Sequence, residues 1–204
     1  MQFSSTIINQ QSSYNFKCYN NFTAGFGIYG NKTTGTSEIV NNTVYEPNGG
    51  DIAPIYIALN GDPGTGGNVT VMNNAISFVV AQTNACIDNS GSVAVVTASY
   101  NVSTNAFVTA GTITSSNNTG AVNMNFNNTA YTITGGNVNA GNPAVSYTDL
   151  DLTRNDAGHN GGSNSWANYW PADSGGKPQI NYLVTPRVIT TGSTLNVTGS
   201  GFSK

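Results

Sequence analysis

Apolar residues along this chain fall in short runs separated by Asn, Gly and Ser clusters. Phe26-Gly27-Ile28-Tyr29, Ile55-Tyr56-Ile57-Ala58-Leu59, Ile76-Ser77-Phe78-Val79-Val80, Val93-Ala94-Val95-Val96 and Tyr131-Thr132-Ile133-Thr134 are examples. Runs rich in β-branched and aromatic residues, bounded by turn-formers, predict strands. Long stretches of Glu, Lys, Leu and Ala at helical spacing do not occur, so the expected class is all-β. Several runs are continuously apolar, which suits a parallel sheet better than a hairpin. The competing architecture is a β-sandwich, which calls for cleaner alternation and turn signals every 8–12 residues or so.

A second pattern overlies the first. Asn-Asn pairs flank short strands at Asn41-Asn42, Asn73-Asn74, Asn117-Asn118 and Asn127-Asn128. Asn74 and Asn118 are 44 residues apart, or two periods of 22, a workable coil length for a three-strand solenoid. The step of 32 from Asn42 to Asn74 requires an insertion, for which Gly61, Gly64, Gly66 and Gly67 supply a loop. The step of 10 from Asn118 to Asn128 does not fit a coil. Asn tolerates the left-handed backbone that solenoid corners use. Its amide can also hydrogen-bond in ladders from coil to coil. The pattern therefore favours a parallel β-helix over a sandwich.

Composition narrows the partners. Only 7% of residues are charged, against about 25% usually, so Asn, Thr, Ser and Gly must cover the surface. Six Lys plus Arg at a net charge of −3 argue against a nucleic-acid partner. No apolar stretch approaches the roughly 20 residues of a membrane span. Met1–Ile8 lacks the basic and apolar regions of a signal peptide. Cys18 and Cys86 are read either as two buried thiols or as one disulfide closing a long loop. Eight Asn-x-Ser/Thr sequons, at Asn21, Asn31, Asn41, Asn68, Asn101, Asn117, Asn127 and Asn196, reflect composition first and sugar attachment second.

Asp149-Leu150-Asp151-Leu152-Thr153-Arg154-Asn155-Asp156-Ala157-Gly158-His159-Asn160-Gly161-Gly162 resembles the stretch that closes many secreted bacterial right-handed parallel β-helix proteins of the pectate-lyase-like superfamily. Leu152 stands where that pattern has Gly, and His159-Asn160 where it has Ala-Tyr. Ser165-Trp166-Ala167-Asn168-Tyr169-Trp170-Pro171 resembles that family's continuation. The resemblance implies a secreted or surface-attached β-helix over residues 1–162, closed by the motif at 149–162, with an aromatic cap or linker over 163–177. From Pro178 the texture changes. The segment 178–204 resembles the opening strands of an immunoglobulin-like IPT/TIG module, read as a β appendage or a partial module, with strands at Ile180–Val184 and Thr194–Thr198.

Candidate chemistry is sparse. Asp149, Asp151, Asn155 and Asp156 could wrap a calcium ion with oxygen ligands. The same residues could instead hold a tight turn through their own backbone, with Arg154 balancing the charge. Trp166, Tyr169 and Trp170 would form a glycan-stacking platform if exposed, or cap the open end of the β-helix core if buried. His159, the only histidine, lies in a Gly/Asn turn and is expected to be solvated. Glu38, Glu46, Asp51, Asp62 and Asp88 show no spacing that pairs them for glycoside cleavage. No catalytic residue is assigned. The expected function is a non-catalytic extracellular or cell-surface module, structural or adhesive, that binds glycans or copies of itself. A polysaccharide lyase or hydrolase, or its degenerate relative, is the alternative.

Overall fold

The computed structural model describes residues 6–10, 14–31, 34–46, 53–60, 67–78, 85–149, 151–165, 179–184, 191–195 and 197–202. Three parallel sheets organise the first 119 residues. Sheet I stacks β1 (Thr6–Gln10), β4 (Phe26–Asn31), β7 (Ile55–Asn60), β10 (Ile87–Asn89) and β13 (Thr109–Gly111). Sheet II stacks β2 (Lys17–Tyr19), β5 (Thr36–Val40), β8 (Asn68–Met72), β11 (Val95–Ser99) and β14 (Ile113–Ser116). Sheet III stacks β3 (Phe22–Thr23), β6 (Thr43–Glu46), β9 (Ala75–Phe78) and β12 (Val102–Ser103), and a bridge from Val102 to Thr119 extends it. The chain visits sheets I, II and III in turn and pairs each strand with its counterpart one coil away. The expected all-β class with parallel sheets is what forms, stacked as in a β-helix-like solenoid.

Side chains alternate across each strand, so one set points into the coil and the other outward. The inward set forms one core that includes Phe26, Ile28, Ile39, Val44, Ile55, Ile57, Leu59, Val71 and Ile76. Each such side chain contributes about 1.5–3 kcal/mol on burial. The core tapers along the stack. One inward column of sheet II runs Cys18, Ile39, Val71, Ala98, Ser115. In sheet I, Phe26, Ile55, Ile87 and Thr109 make a similar series. The fifth coil thus turns small and polar, in keeping with a terminal repeat.

The corner between sheets II and III is the most regular feature. It has two residues per coil. The first adopts a left-handed backbone at Asn20, Asn41, Asn73, Tyr100 and Asn117, with φ of 54–56°. The second is Asn21, Asn42, Asn74, Asn101 or Asn118, whose amides form a ladder. Each Asn donates its backbone N–H and side-chain N–H to the Oδ1 of the next, at 2.8–3.0 Å throughout. Four of the amides also donate to a strand carbonyl of the preceding coil: Cys18, Ile39, Val71 and Ala98. Successive rungs are 21, 32, 27 and 17 residues apart. The expected 44-residue double period therefore holds two coils of unequal length, 27 and 17, rather than a repeat of 22. In the 32-residue coil the extra residues fall between β6 and β7 and between β7 and β8. Most of the glycine-rich stretch in the second gap lies outside the described residues.

Asn127-Asn128 belongs to no coil. Asn127 pairs with Thr132, and its Oδ1 accepts the N–H groups of Thr129 and Ala130, closing a turn. This turn lies in a segment, residues 120–165, that returns along the outside of the stack. Val122, Met124, Phe126, Ile133, Ala140 and Ala157 pack over Ala75 and Val102 on the outer face of sheet III. Sheet III is thereby covered on both sides. Among its described residues, the strap's only helical element is a single 3-10 turn at Val145–Tyr147. The motif expected to close the β-helix at 149–162 is the far part of this strap. It runs along the first coils rather than adding a last one, because its partners are the outer corner residues.

Toward the C-terminus, β15 (Gln179–Val184) and β16 (Thr198–Phe202) form an antiparallel pair with a bulge between Ile180 and Tyr182. The first matches the expected strand. The second begins where Thr194–Thr198 was expected to end. Among the described residues, no helix is long and apolar enough to cross a membrane.

Candidate functional site

The outer corner asparagines hold the strap. Asn20 Nδ2 donates to the carbonyls of His159 and Gly161 at 2.9 and 2.7 Å. Asn41 Nδ2 reaches Asn155 Oδ1, Asp156 O and Gly158 O. Asn73 Oδ1 accepts the Asn142 N–H at 2.8 Å, and its carbonyl accepts the Gly158 N–H at 2.8 Å. A left-handed corner points its side chain outward, and a short amide there satisfies backbone groups that the strap would otherwise bury unpaired.

His159 corrects the expectation of a solvated side chain, since it is fully buried. Its Nε2 lies 2.8 Å from the Tyr131 carbonyl, which can only accept. The proton therefore sits on Nε2, and Nδ1 accepts the Thr43 hydroxyl at 2.7 Å. Phe22 meets the ring edge-on at 5.2 Å. Burial pushes the imidazole down to about 4, so it is neutral. In this setting it fastens the strap.

The four candidate calcium ligands are brought near one another only in part. Asp149 is buried; its two carboxylate oxygens accept the N–H groups of Gly162 and Asp156. Asp156 Oδ1 accepts the Asn139 N–H. Asn155, also buried, is engaged by Asn41 and donates to the Tyr147 carbonyl. Asp151 stands exposed, taking the Thr153 N–H and hydroxyl, which lower its pKa. Burial raises Asp149 to about 6 and shifts Asp156 upward. Arg154 donates to the Gly141 and Ala140 carbonyls. These oxygens thus meet the strap's own donors, the geometry of turn chemistry. Among the described residues, no three His, Cys, Asp or Glu side chains gather to hold a metal.

Cys18 and Cys86 are free, buried thiols, a correction to the disulfide alternative. Cys18 lies in β2, whereas Cys86 precedes β10. Strands β5 and β8 of sheet II come between, a separation of roughly 10 Å or more at about 4.8 Å per strand. A disulfide requires Cα atoms within about 7 Å. Cys86 Sγ instead donates to Ser103 Oγ. Burial raises the Cys18 thiol to about 11. Trp166, Tyr169 and Trp170 lie outside the described residues. Of the sequons, Asn41 and Asn101 are buried corner residues, whereas Asn21, Asn31, Asn68, Asn117 and Asn127 are exposed and Asn196 is outside the described residues.

Where the strap borders sheet II it leaves a groove of about 260 Å³. The outer face of sheet II contributes Tyr19, Glu38, Val40, Thr70 and Met72. The strap contributes Ser146, Tyr147, Ser163 and Asn164. Glu38 lies in register between Lys17 and Thr70. The Lys17 ammonium stands 5.9 Å from the centre of the Tyr19 ring. Asn20, Asn41 and Asn155 line the groove but are occupied in holding the strap. The Tyr19 and Tyr147 phenols, the Glu38 carboxylate and the Asn164 amide make no side-chain hydrogen bond to another described residue, so they are open to a ligand. Sequence reading missed this site because its two walls are more than 70 residues apart and only the strap's return joins them. Comparison of the chain with family models, with curated proteins and with solved structures finds no match.

Proposed function

We propose that this chain is a non-catalytic extracellular module, a right-handed parallel β-helix that binds glycans in the groove between sheet II and the strap. The observation that carries this reading is the lining there: two tyrosines, one carboxylate and one amide that make no side-chain hydrogen bond to another described residue, around a polar cleft. A sugar ring offers an apolar face for an aromatic ring and hydroxyls for fixed polar groups. Among the described residues Glu38 is the one carboxylate of the lining, and hydrolysis of a glycosidic bond calls for two. That favours binding over the polysaccharide-cleaving alternative. Calcium is the weaker accompanying reading, because the Asp149 oxygens already accept backbone N–H groups. Secretion or surface attachment accords with the low charge and with exposed sequons, and with the resemblance of the 149–162 motif.

A glycan array, followed by titration with the best neutral oligosaccharide, tests the reading. Wild type is expected to bind, and Tyr147→Ala is expected to weaken binding at least about tenfold. Release of reducing ends or unsaturated sugars, lost in Glu38→Gln, would establish the enzyme instead. Unchanged affinity in both Tyr19→Ala and Tyr147→Ala would remove the groove from the account.

A further inference from the structure

Sheet I presents its own aromatic surface, on a different side of the solenoid from the groove. Its outward columns run Ile7, Gly27, Tyr56, Asp88 and Asn9, Tyr29, Ala58, with Asn31 paired to Asn60 beyond. Tyr29 and Tyr56 lie 5.6 Å apart between ring centres and are inclined by 48°. Both lie over glycine. A Cβ at Gly27 would stand 2.7 Å from Cε2 of Tyr29, so a larger residue there would lift the ring off the sheet. A Cβ at Gly91 would stand 3.2 Å from the Tyr56 hydroxyl. The two rings are thus half-buried and laid along the strand surface.

Buried structural tyrosines find partners for their hydroxyls. Among the described residues, neither of these phenols makes a hydrogen bond. By contrast, Tyr45 of β6 packs against Phe126 of the strap, and Tyr131 of the strap packs against Phe22 of β3. The side-chain amides of Asn9, Asn31 and Asn60 are exposed around the platform and likewise make no hydrogen bond to a described residue. Asp88 gives one carboxylate oxygen to the Ser90 N–H and keeps the other.

We infer that the Tyr29–Tyr56 platform is a second glycan site, and that the chain bridges two glycan strands. The inference rests on the ligand class proposed for the groove but stands on separate residues. The amides and the Asp88 oxygen match sugar hydroxyls, and the paired rings match the apolar faces of successive sugar units. Rings inclined by 48° form a shallow trough. A trough fits a single twisted polysaccharide chain and does not fit a flat crystalline surface. Sites on two faces of a rigid stack cannot both engage the same short chain, so binding cross-links separate chains.

The test uses the whole chain with soluble and crystalline neutral polysaccharides: β-glucan, β-mannan and chitin oligomers, and crystalline cellulose and chitin. Titration of wild type with a short soluble oligomer is expected to give two sites, and mixing with the long polymer should raise turbidity. The double variant Tyr29→Thr/Tyr56→Thr should lose one site and all turbidity while keeping its far-ultraviolet circular dichroism. Tyr29→Phe/Tyr56→Phe, which keeps the rings, should stay within about threefold of wild-type affinity. Two sites and undiminished turbidity in the Thr variant would overturn the proposal, as would tighter binding to crystalline than to soluble polymer. Loss of all binding in the Thr variant with no effect of Tyr147→Ala would leave the platform and remove the groove.

Discussion

Thr43 and His159 exchange two hydrogen bonds across 116 residues of sequence. The hydroxyl accepts the His159 backbone N–H at 3.1 Å and donates to the same residue's Nδ1 at 2.7 Å. The pair joins β6 of sheet III to the end of the strap, and it requires a neutral imidazole.

A pH dependence follows. His159 titrates near 4 when folded, against 6.5 for a free side chain. Its contribution is present above 6.5 and is lost as pH falls through about 4. Asp149 behaves oppositely: raised from 3.8 to about 6, it contributes below 3.8 and the contribution is lost as pH rises through about 6. The two slopes oppose each other, so wild type should show a shallow dependence across this window. Removing the imidazole in His159→Gln should expose the carboxylate alone. Urea midpoints of that variant are then expected to fall as pH rises from 4 to 6. Equal slopes in wild type and variant would show that His159 is not held neutral.

The ladder makes a graded prediction. Asn74 accepts two donors from Asn42 and donates to Ile39 O and Asn101 Oδ1. Asn74→Ala leaves buried groups on both neighbours unpaired and should cost about 2–4 kcal/mol. Asn118 ends the ladder, is partly exposed, and donates its amide to Ala98 O and Ser115 Oγ. Asn118→Ala should cost about 1 kcal/mol. Equilibrium urea unfolding of both variants measures the difference, and equal losses would mean that the ladder is not cooperative along its length.

Much of this corner was legible in the sequence. The pairs at 41–42, 73–74 and 117–118 mark an outer left-handed residue followed by an inner rung. Asn101 was hidden because Tyr100 holds the outer position of its coil, where the strap no longer needs an amide. Asn20-Asn21 forms the first rung but went unread beside the longer spacing. Asn127-Asn128 mimicked the pattern because Asn favours turns as readily as corners. The strap was harder still. Its docking depends on contacts such as Asn20 to Gly161, 141 residues apart, and no local period reports them. His159 looked solvated because Gly and Asn around it normally mark surface turns. Here those glycines permit close approach to the stack.

Gly158 shows how close. Its φ of +108° is strained for any other residue, and a Cβ would meet Ile133, Thr43 and Ala75. Gly158→Ala should cost about 1–3 kcal/mol from the backbone alone, with the clash adding to it. The expected result is selective: the strap lifts while the parallel ladders persist. Limited proteolysis should then cut between residues 120 and 165, with far-ultraviolet circular dichroism little changed. A variant as protease-resistant as wild type would show that the strap does not depend on this approach.

The cysteines offer a final check on the coil order. Thiolate is the reactive form, and burial raises both thiols above their ordinary value of 9.0. Native protein should therefore react slowly with a thiol reagent at neutral pH. In denaturant, two thiols per chain should react at once without prior reduction. Cys18 occupies an inward position in the first coil and Cys86 is fully buried before the fourth strand of sheet I, so each reports the opening of a different level of the stack. If the stack unfolds as one unit, both thiols should become reactive at the same urea concentration. Earlier labelling of Cys18 would show that the first coil frays independently, even with Asn20 holding the strap. Fewer than two thiols in denaturant would place the residues within bonding distance, which the separation of their strands does not allow.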